Sequence, residues 1–428
     1  MIVALLFGSF ALLLILRVPI GISLGMSSLI TIFASGVVQP TYLAQGLVTG
    51  ADSFSLMAVP FFVLAGELMA TGGISRRLLN IADAFLGRKY GGLALVTVVA
   101  CMFFAAISGS GPATVAAIGG LTIPSMLKQG YDKPFAGAIS AAAGSIGVII
   151  PPSIPMVMYC VATGSSVGAM FMGGVIPGIL IGISLCIYSS LYCKKRKYVN
   201  AEAKPFSWGN VGHAFVDGIW ALLVPVIILG GIYAGIFTPT EAAAVAVAYG
   251  LVVGLFVYRD LKAQDLYRIF ASAALTTATI MIILGTATTF GRILTLERIP
   301  TMIADFFESV ANGPIMFYVL INLLLLVVGC FMETNAAIII LAPIFLPIAQ
   351  SMGIDPVHFG IVMVVNLAIG FVTPPLGVNL FVACNTANAK LEEIVKGIVP
   401  ILGVMIIDLL LITYITPLSM WLPGVMGY

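Results

Sequence analysis

Apolar residues run in blocks of about twenty, the length needed to cross a hydrocarbon core as a helix. Charges or Gly/Pro pairs separate the blocks. The pattern predicts spans at 2–17, 19–37, 53–72, 134–163, 168–192, 218–237, 239–257, 272–291, 357–385 and 397–420. Two further blocks, 91–127 and 313–350, have polar, turn-rich centres: Ser108-Gly-Ser-Gly-Pro112 and Met332-Glu-Thr-Asn335. Each reads as a hairpin that returns to its own side, because an unpaired turn at membrane depth is tolerated only when buried in protein or lining a cavity. Two full crossings per block would leave the parity unchanged. In 74–89 and 296–310 apolar residues recur at helical spacing against charged ones, the pattern of amphipathic helices lying in the interface.

The chain repeats itself. Shifted by 223 residues, Pro124, Gly130, Asp132 and Gly137 fall on Pro347, Gly353, Asp355 and Gly360. Ile146-Gly147 then meets Ile369-Gly370, and Pro151-Pro152 meets Pro374-Pro375. Most of these identities are Gly or Pro, residues that fix backbone shape. Each half holds three spans, an interfacial helix, a hairpin, a broken span and a last span. Five crossings is an odd number, so the second half (210–428) is expected to be inverted relative to the first (1–200). Inverted repeats with paired broken helices mark secondary transporters.

Composition and charge agree with a membrane chain. Of 428 residues 61% are hydrophobic and only 8% charged, against about 25% charged in an average soluble domain. That excludes a soluble enzyme, a disordered regulator and a nucleic-acid binder. With hairpins in both polar-centred blocks and a periplasmic N-terminus, all Lys and Arg except Arg292 and Arg298 fall on the cytoplasmic side. Both termini are then periplasmic. The first residues lack a basic leader and read as the first span. No P-loop, no Cys-x-x-Cys pair and no clustered histidines occur, which argues against ATP use, a zinc site and enzymatic catalysis.

Candidate chemistry lies at the interruptions. Each Pro-Pro pair removes two backbone donors from a predicted span, leaving carbonyls near Gly147–Val148 and Gly370–Phe371 short of partners. A hard cation with an all-oxygen shell fits such carbonyls. Two sodium sites are expected. The first joins tip 108–112 to 144–151, with Ser108, Ser110, Gly144, Gly147, Val148 and Pro151; the second joins tip 331–335 to 368–375, with Thr334, Gly370, Phe371 and Thr373. Helix capping is the plainer role for the tip hydroxyls. Substrate candidates between the tips are Ser110, Ser153, Glu333, Asn335 and Asn379, with Arg292 as the one basic residue able to reach in; its plainer role is an interfacial anchor. Elsewhere, Thr238-Pro-Thr-Glu241 matches a capping box, Gly21-x-x-x-Gly25 allows close helix packing, and Asp408 lies deep in the last span with no evident partner.

The motifs Pro60-Phe-Phe-Val-Leu-Ala-Gly-Glu-Leu-Met69, Ser108-Gly-Ser-Gly-Pro-Ala-Thr-Val115, Gly144-Ser-Ile-Gly-Val-Ile-Ile-Pro-Pro-Ser153, Thr238-Pro-Thr-Glu-Ala242 and Thr373-Pro-Pro-Leu-Gly-Val-Asn379 together resemble the large membrane subunit of tripartite ATP-independent periplasmic (TRAP) transporters. The likeness covers the whole chain and leans toward sialic-acid systems. It implies an all-α, elevator-type, sodium-coupled importer of organic acids (C4-dicarboxylates, sialic acids or related sugar acids) in the bacterial inner membrane. It also implies two partners, a small four-span membrane subunit and a soluble periplasmic substrate-binding protein. The rival reading is a stand-alone sodium- or proton-coupled anion symporter that needs no binding protein.

Overall fold

The computed structural model describes residues 2–36, 39–86, 89–198, 207–303 and 313–428. Among them the chain is all helical, and seven helices are long and apolar enough to cross a membrane; a further bent pair makes up to eight. The first half comprises α1 (Ile2–Ile15), α2 (Ile20–Ser35), α3 (Thr41–Ala51), α4 (Ala58–Thr71), α5 (Ile74–Leu86), α6 (Gly92–Ser108), α7 (Gly111–Thr114), α8 (Gly120–Lys128), α9 (Lys133–Ser145), α10 (Ile154–Thr163) and α11 (Val167–Arg196). The second comprises α12 (Trp208–Tyr233), α13 (Pro239–Val252), α14 (Ala263–Leu296), α15 (Pro314–Phe331), α16 (Thr334–Ser351), α17 (Pro356–Gly370), α18 (Val378–Ala387), α19 (Leu391–Tyr414) and α20 (Pro417–Val425).

Helix starts follow local chemistry. Asp132, Ser153, Ser166, Glu333 and Asp355 each accept a backbone N–H from the first turn of the helix they precede. Thr238 and Glu241 form the expected capping box at α13. Four helices depart from the hydropathy reading, among them α12, which starts ten residues before the expected 218–237. Helix α3 was not expected: with Gln45, Thr49 and eleven residues it is too short and polar to register as a span, and the chain bends by 67° between it and the following segment, 55–71. The last expected span, 397–420, instead stops at Tyr414, and Pro417 opens a separate short helix because proline cannot continue the preceding one. Helix α14 extends a turn or more past each end of the expected 272–291. Of the second amphipathic segment, 299–303 is helical and 304–310 lies outside the described residues.

The helices pack in two groups. In one, α14 packs against α2, α3 and α4, α13 against α4, and α12 against α5 and α13. In the other, α9 packs with α6, α18 and α19, α11 with α6, α19 and α20, α16 with α10 and α17, and α15 with α17. Close approach in the first group uses the Gly21-x-x-x-Gly25 stripe: a Cβ at Gly21 would stand 2.9 Å from Ile282, and one at Gly25 3.0 Å from Thr286. The groups meet where α4 and α5 touch α6 and where α14 touches α16.

The 223-residue correspondence is visible in local geometry. Gly130 and Gly353 both adopt positive φ (+83° and +76°), Asp132 and Asp355 both cap the next helix, and the Pro151–Pro152 and Pro374–Pro375 bonds are both cis. The two interrupted helices run antiparallel. Lys133 at the start of α9 donates to the Asn388 carbonyl just past α18 (3.3 Å), while Tyr159 near the end of α10 donates to the Pro356 carbonyl at the start of α17 (2.7 Å).

Helix α5 buries Ile74, Leu78, Ile81 and Ala82, as its periodicity predicts. Arg77, on the charged face by sequence, is also buried. It donates to Asp260 (2.6 Å), approaches Asp217 (3.5 Å) and stacks its guanidinium 3.5 Å from the centre of the Tyr258 ring. These contacts tie α5 to α12 and to the segment before α14. Hydrogen bonds to a charged group contribute more than neutral ones, so D260N is expected to destabilise the protein by about 2 kcal/mol, read as a lower Tm in detergent. An unchanged Tm would mean the cluster does not hold α5.

Candidate functional site

The first hairpin turns where α6 ends. Gly109 takes a left-handed conformation (φ +59°), Ser110 is extended and caps α7, and Pro112 sits in the first turn, where its missing N–H costs nothing. Ser108 Oγ lies 2.8 Å from Thr114 Oγ1, which donates to the Ser110 carbonyl at 2.7 Å; Ser108 Oγ is itself 3.4 Å from that carbonyl. Three neutral oxygens therefore form a compact triangle at the tip. A Cβ at Gly147 would stand 2.7 Å from the Ser110 carbonyl oxygen, so the close approach of the broken helix requires glycine there.

Opposite the tip, α9 tightens into a 3₁₀ turn at 146–148, and α10 restarts at Ile154. The Gly109 carbonyl accepts the Ile154 N–H at 3.3 Å, joining tip to break. Not every freed carbonyl is bare: that of Val148 accepts the Ser153 hydroxyl at 2.6 Å. Ser153 is fully buried and spends its hydroxyl on that bond and on capping α10. Pro151 lies buried in the same turn, and Gly144 faces the Gly111 carbonyl across the tip.

The second tip is built differently. Glu333 caps α16, accepting the Ala336 N–H at 3.1 Å and the Asn335 side-chain amide at 2.7 Å. The buried Asn335 Oδ1 has no hydrogen-bond partner. Thr334 is buried. In the second break Gly370 packs on Gly329 of α15; a Cβ there would come within 2.6 Å of the Gly329 carbonyl. Thr373 Oγ1 donates to the Ile369 carbonyl (2.8 Å), and the Phe371 carbonyl accepts the Asn379 N–H (3.1 Å).

Both tips and both breaks meet at one cavity of about 350 Å³. Ser110, Glu333 and Asn335 line it, with Val148 and Phe371 from the two breaks and Thr276 and Thr279 from α14. Among the described residues no Lys or Arg lines it. The first residues of α10 and the tip of α16 border it, so two helix N-termini face the space. Asn379 stands behind the wall: it is fully buried, donates to the Ala141 carbonyl at 3.1 Å, and its Oδ1 lacks a partner beside Gly111. Arg292 is elsewhere, in a second cavity farther along α14. Asp408 has a partner that sequence did not reveal, the Ser184 hydroxyl at 2.8 Å, and it lies outside the cavity. Among the described residues no three His, Cys, Asp or Glu side chains come together; the oxygens the site offers to a cation are hydroxyls and main-chain carbonyls, with the Glu333 carboxylate and Asn335 Oδ1 at the second tip.

Thr114, Thr276 and Thr279 were not assigned from sequence. Ser272, Thr276 and Thr279 recur at helical spacing in an otherwise apolar span, a signal that could have marked α14 as a cavity wall.

Comparison with known proteins places the fold and the lineage. The solved Alcanivorax borkumensis YdaH transporter superposes with a TM-score of 0.58 at 15% identity, covering 88% of this chain and 90% of that one. Neisseria gonorrhoeae MtrF gives 0.58 at 12%, covering 89% and 83%. At such identities these likenesses concern the fold. Among sequence relatives, the isethionate TRAP transporter permease protein DctMQ of Oleidesulfovibrio alaskensis is 53% identical over 98% of this chain, which spans 66% of that protein's length. The C4-dicarboxylate large permease protein DctM of Vibrio cholerae is 44% identical over 99% of this chain and 98% of its own. The sialic acid large permease protein SiaM of the same organism is 38% identical over 97% of both. The profile of the tripartite ATP-independent periplasmic transporter DctM component matches residues 7–418. By these matches the chain belongs to the DctM family, the large permease components of TRAP transporters, and is a multi-pass membrane protein rather than an enzyme.

Proposed function

We propose that this chain imports a small organic anion, coupled to sodium ions, through the cavity between the hairpin tips. The carrying observation is the chemistry of that cavity. It gathers hydroxyls, amides, a carboxylate and helix termini, and no Lys or Arg. An anion entering a low-dielectric space of this kind needs compensating positive charge. Helix N-termini supply part of it. Cations on the neighbouring oxygens supply the rest, with Ser108, Thr114, the Ser110 carbonyl and the backbone at Gly147 as the first set, and Thr334, Gly370, Phe371 and Thr373 as the second. Each ligand then raises the affinity for the other, and by linkage the effect is reciprocal. That reciprocity is what makes a symporter.

The antiparallel broken helices support two inverted repeats, 1–200 and 210–428, with both termini periplasmic. The two packing groups support an elevator in which the hairpins, broken helices and last spans move against a scaffold drawn from 1–72 and 218–291. The relatives are named for isethionate, C4-dicarboxylates and sialic acid. These are organic acids, and 350 Å³ lies within the range of about 300–1,000 Å³ typical of small-ligand sites. Identity is higher to the isethionate and C4-dicarboxylate permeases than to the sialic acid one, which favours a short-chain acid. On this reading a small membrane subunit and a soluble periplasmic binding protein complete the system.

Reconstituted with those partners, the protein should take up isethionate or succinate only when sodium is higher outside. Full-rate uptake without sodium would defeat the coupling, and full-rate uptake without the binding protein would favour the stand-alone symporter. The S108A and T114A variants each remove one corner of the oxygen triangle. Each should raise the half-saturating sodium concentration about tenfold, equivalent to about 1.4 kcal/mol. An unchanged sodium curve would remove those hydroxyls from the site.

A further inference from the structure

The second cavity, about 540 Å³, differs in chemistry from the first. Arg292 lines it together with the hydroxyl-bearing Tyr42, Thr49, Ser53, Thr288 and Thr295, and among the described residues no acidic side chain does. The guanidinium donates to Thr49 Oγ1 (3.2 Å) and stands 5.7 Å from the centre of the Tyr42 ring. Among the described residues it forms no ion pair. Its charge is held in place by neutral groups, the Thr49 hydroxyl and the Tyr42 ring.

The two cavities share three walls. The central one is bordered by Ile154 and Pro155 of α10, 276–283 of α14, and Glu333 and Asn335 at the start of α16. The second is bordered by Val161 and Ala162 of α10, 284–296 of α14, and Ile339 and Pro343 of α16. Numbers rise in the same direction along all three helices. At about 1.5 Å per residue the second cavity is offset from the first by about 10–15 Å along the same three helices. Both cavities lie between the two packing groups, because α14 belongs to one and α10 and α16 to the other. The opposite end of α14 adjoins Arg76, Arg77, Arg259 and Lys262, the basic, cytoplasmic end by the positive-inside rule.

From this geometry we propose that the Arg292 cavity is a vestibular anion site, which takes the carboxylate or sulfonate of the incoming acid before the central cavity does. The inference rests on the anion-import reading above but has its own signature. A fixed guanidinium binds an anion with no help from sodium, whereas the central cavity, which has no basic side chain, depends on it. The vestibule therefore binds the acid weakly in sodium-free buffer and admits it to a central cavity that retains it only once cations are present.

Saturation-transfer NMR with isethionate as probe tests this on the purified permease and its membrane partner in lipid nanodiscs. In sodium-free buffer the wild type should bind isethionate, R292Q should weaken that binding at least tenfold, and R292K should restore it to within about threefold. Added sodium should produce a second, tighter binding that survives in R292Q. Sodium-free binding that is absent from the wild type, or unchanged in R292Q, overturns the proposal. Binding that appears in phosphatidylcholine discs but is lost when phosphatidylglycerol is included would assign the site to a lipid headgroup and equally overturn it. Absence of the sodium-dependent phase alone would defeat the coupled-import reading and leave the Arg292 site standing.

Discussion

A backbone that breaks inside an apolar protein must find partners for its polar groups, and this requirement shapes the centre of the molecule. Two helices are interrupted, at 146–153 and 371–377, where unpaired N–H and C=O groups are costly. Side chains satisfy some of them, Ser153 on Val148 and Thr373 on Ile369, and the main-chain N–H of Asn379 satisfies Phe371. Hairpin tips satisfy others, as Gly109 does for Ile154. The result is a knot of neutral oxygens around a small space, held by glycines at 147 and 370 that let main chains approach where a methyl group would collide.

Electrostatics then follows from what is missing. Among the described residues, a cavity walled by hydroxyls, an amide and a capped carboxylate has no fixed positive side chain, so on the proposed reading an anion and its compensating charge arrive together. Arg292, which forms no ion pair among the described residues, lies a few helical turns away in a separate cavity bordered by the same three helices. In the proposed scheme, separating the place where an anion is first attracted from the place where it is held makes retention conditional on a second ligand, which a lysine or arginine in the central cavity would not do.

Much of this was legible in sequence because glycine and proline positions carry geometry directly. The helix breaks at the two Pro-Pro pairs, the turn after Ser108 and the capping box at Thr238 all appear where their residues predicted. What the sequence hid depends on which face a helix turns inward. Arg77 lies on the charged face of an amphipathic helix, yet Asp260, Asp217 and Tyr258 from a distant segment bury it. Helix α3 carries too many polar residues to register as a span, and those residues, Tyr42 and Thr49, brace Arg292. Ser153 is drawn to the backbone rather than to the cavity, because a carbonyl freed by the break lies within reach. Arg292 fell between two readings, interfacial anchor and substrate ligand, because its distance from the tips cannot be read along the chain.

The most direct measurement of the central claim is the equilibrium affinity of the permease for its acid across a range of sodium concentrations, taken in the R292Q background so that the central cavity is observed alone. Interdependent binding predicts that the dissociation constant falls at least tenfold as sodium rises, and that the acid tightens sodium binding by the same factor. An acid affinity indifferent to sodium would contradict the account.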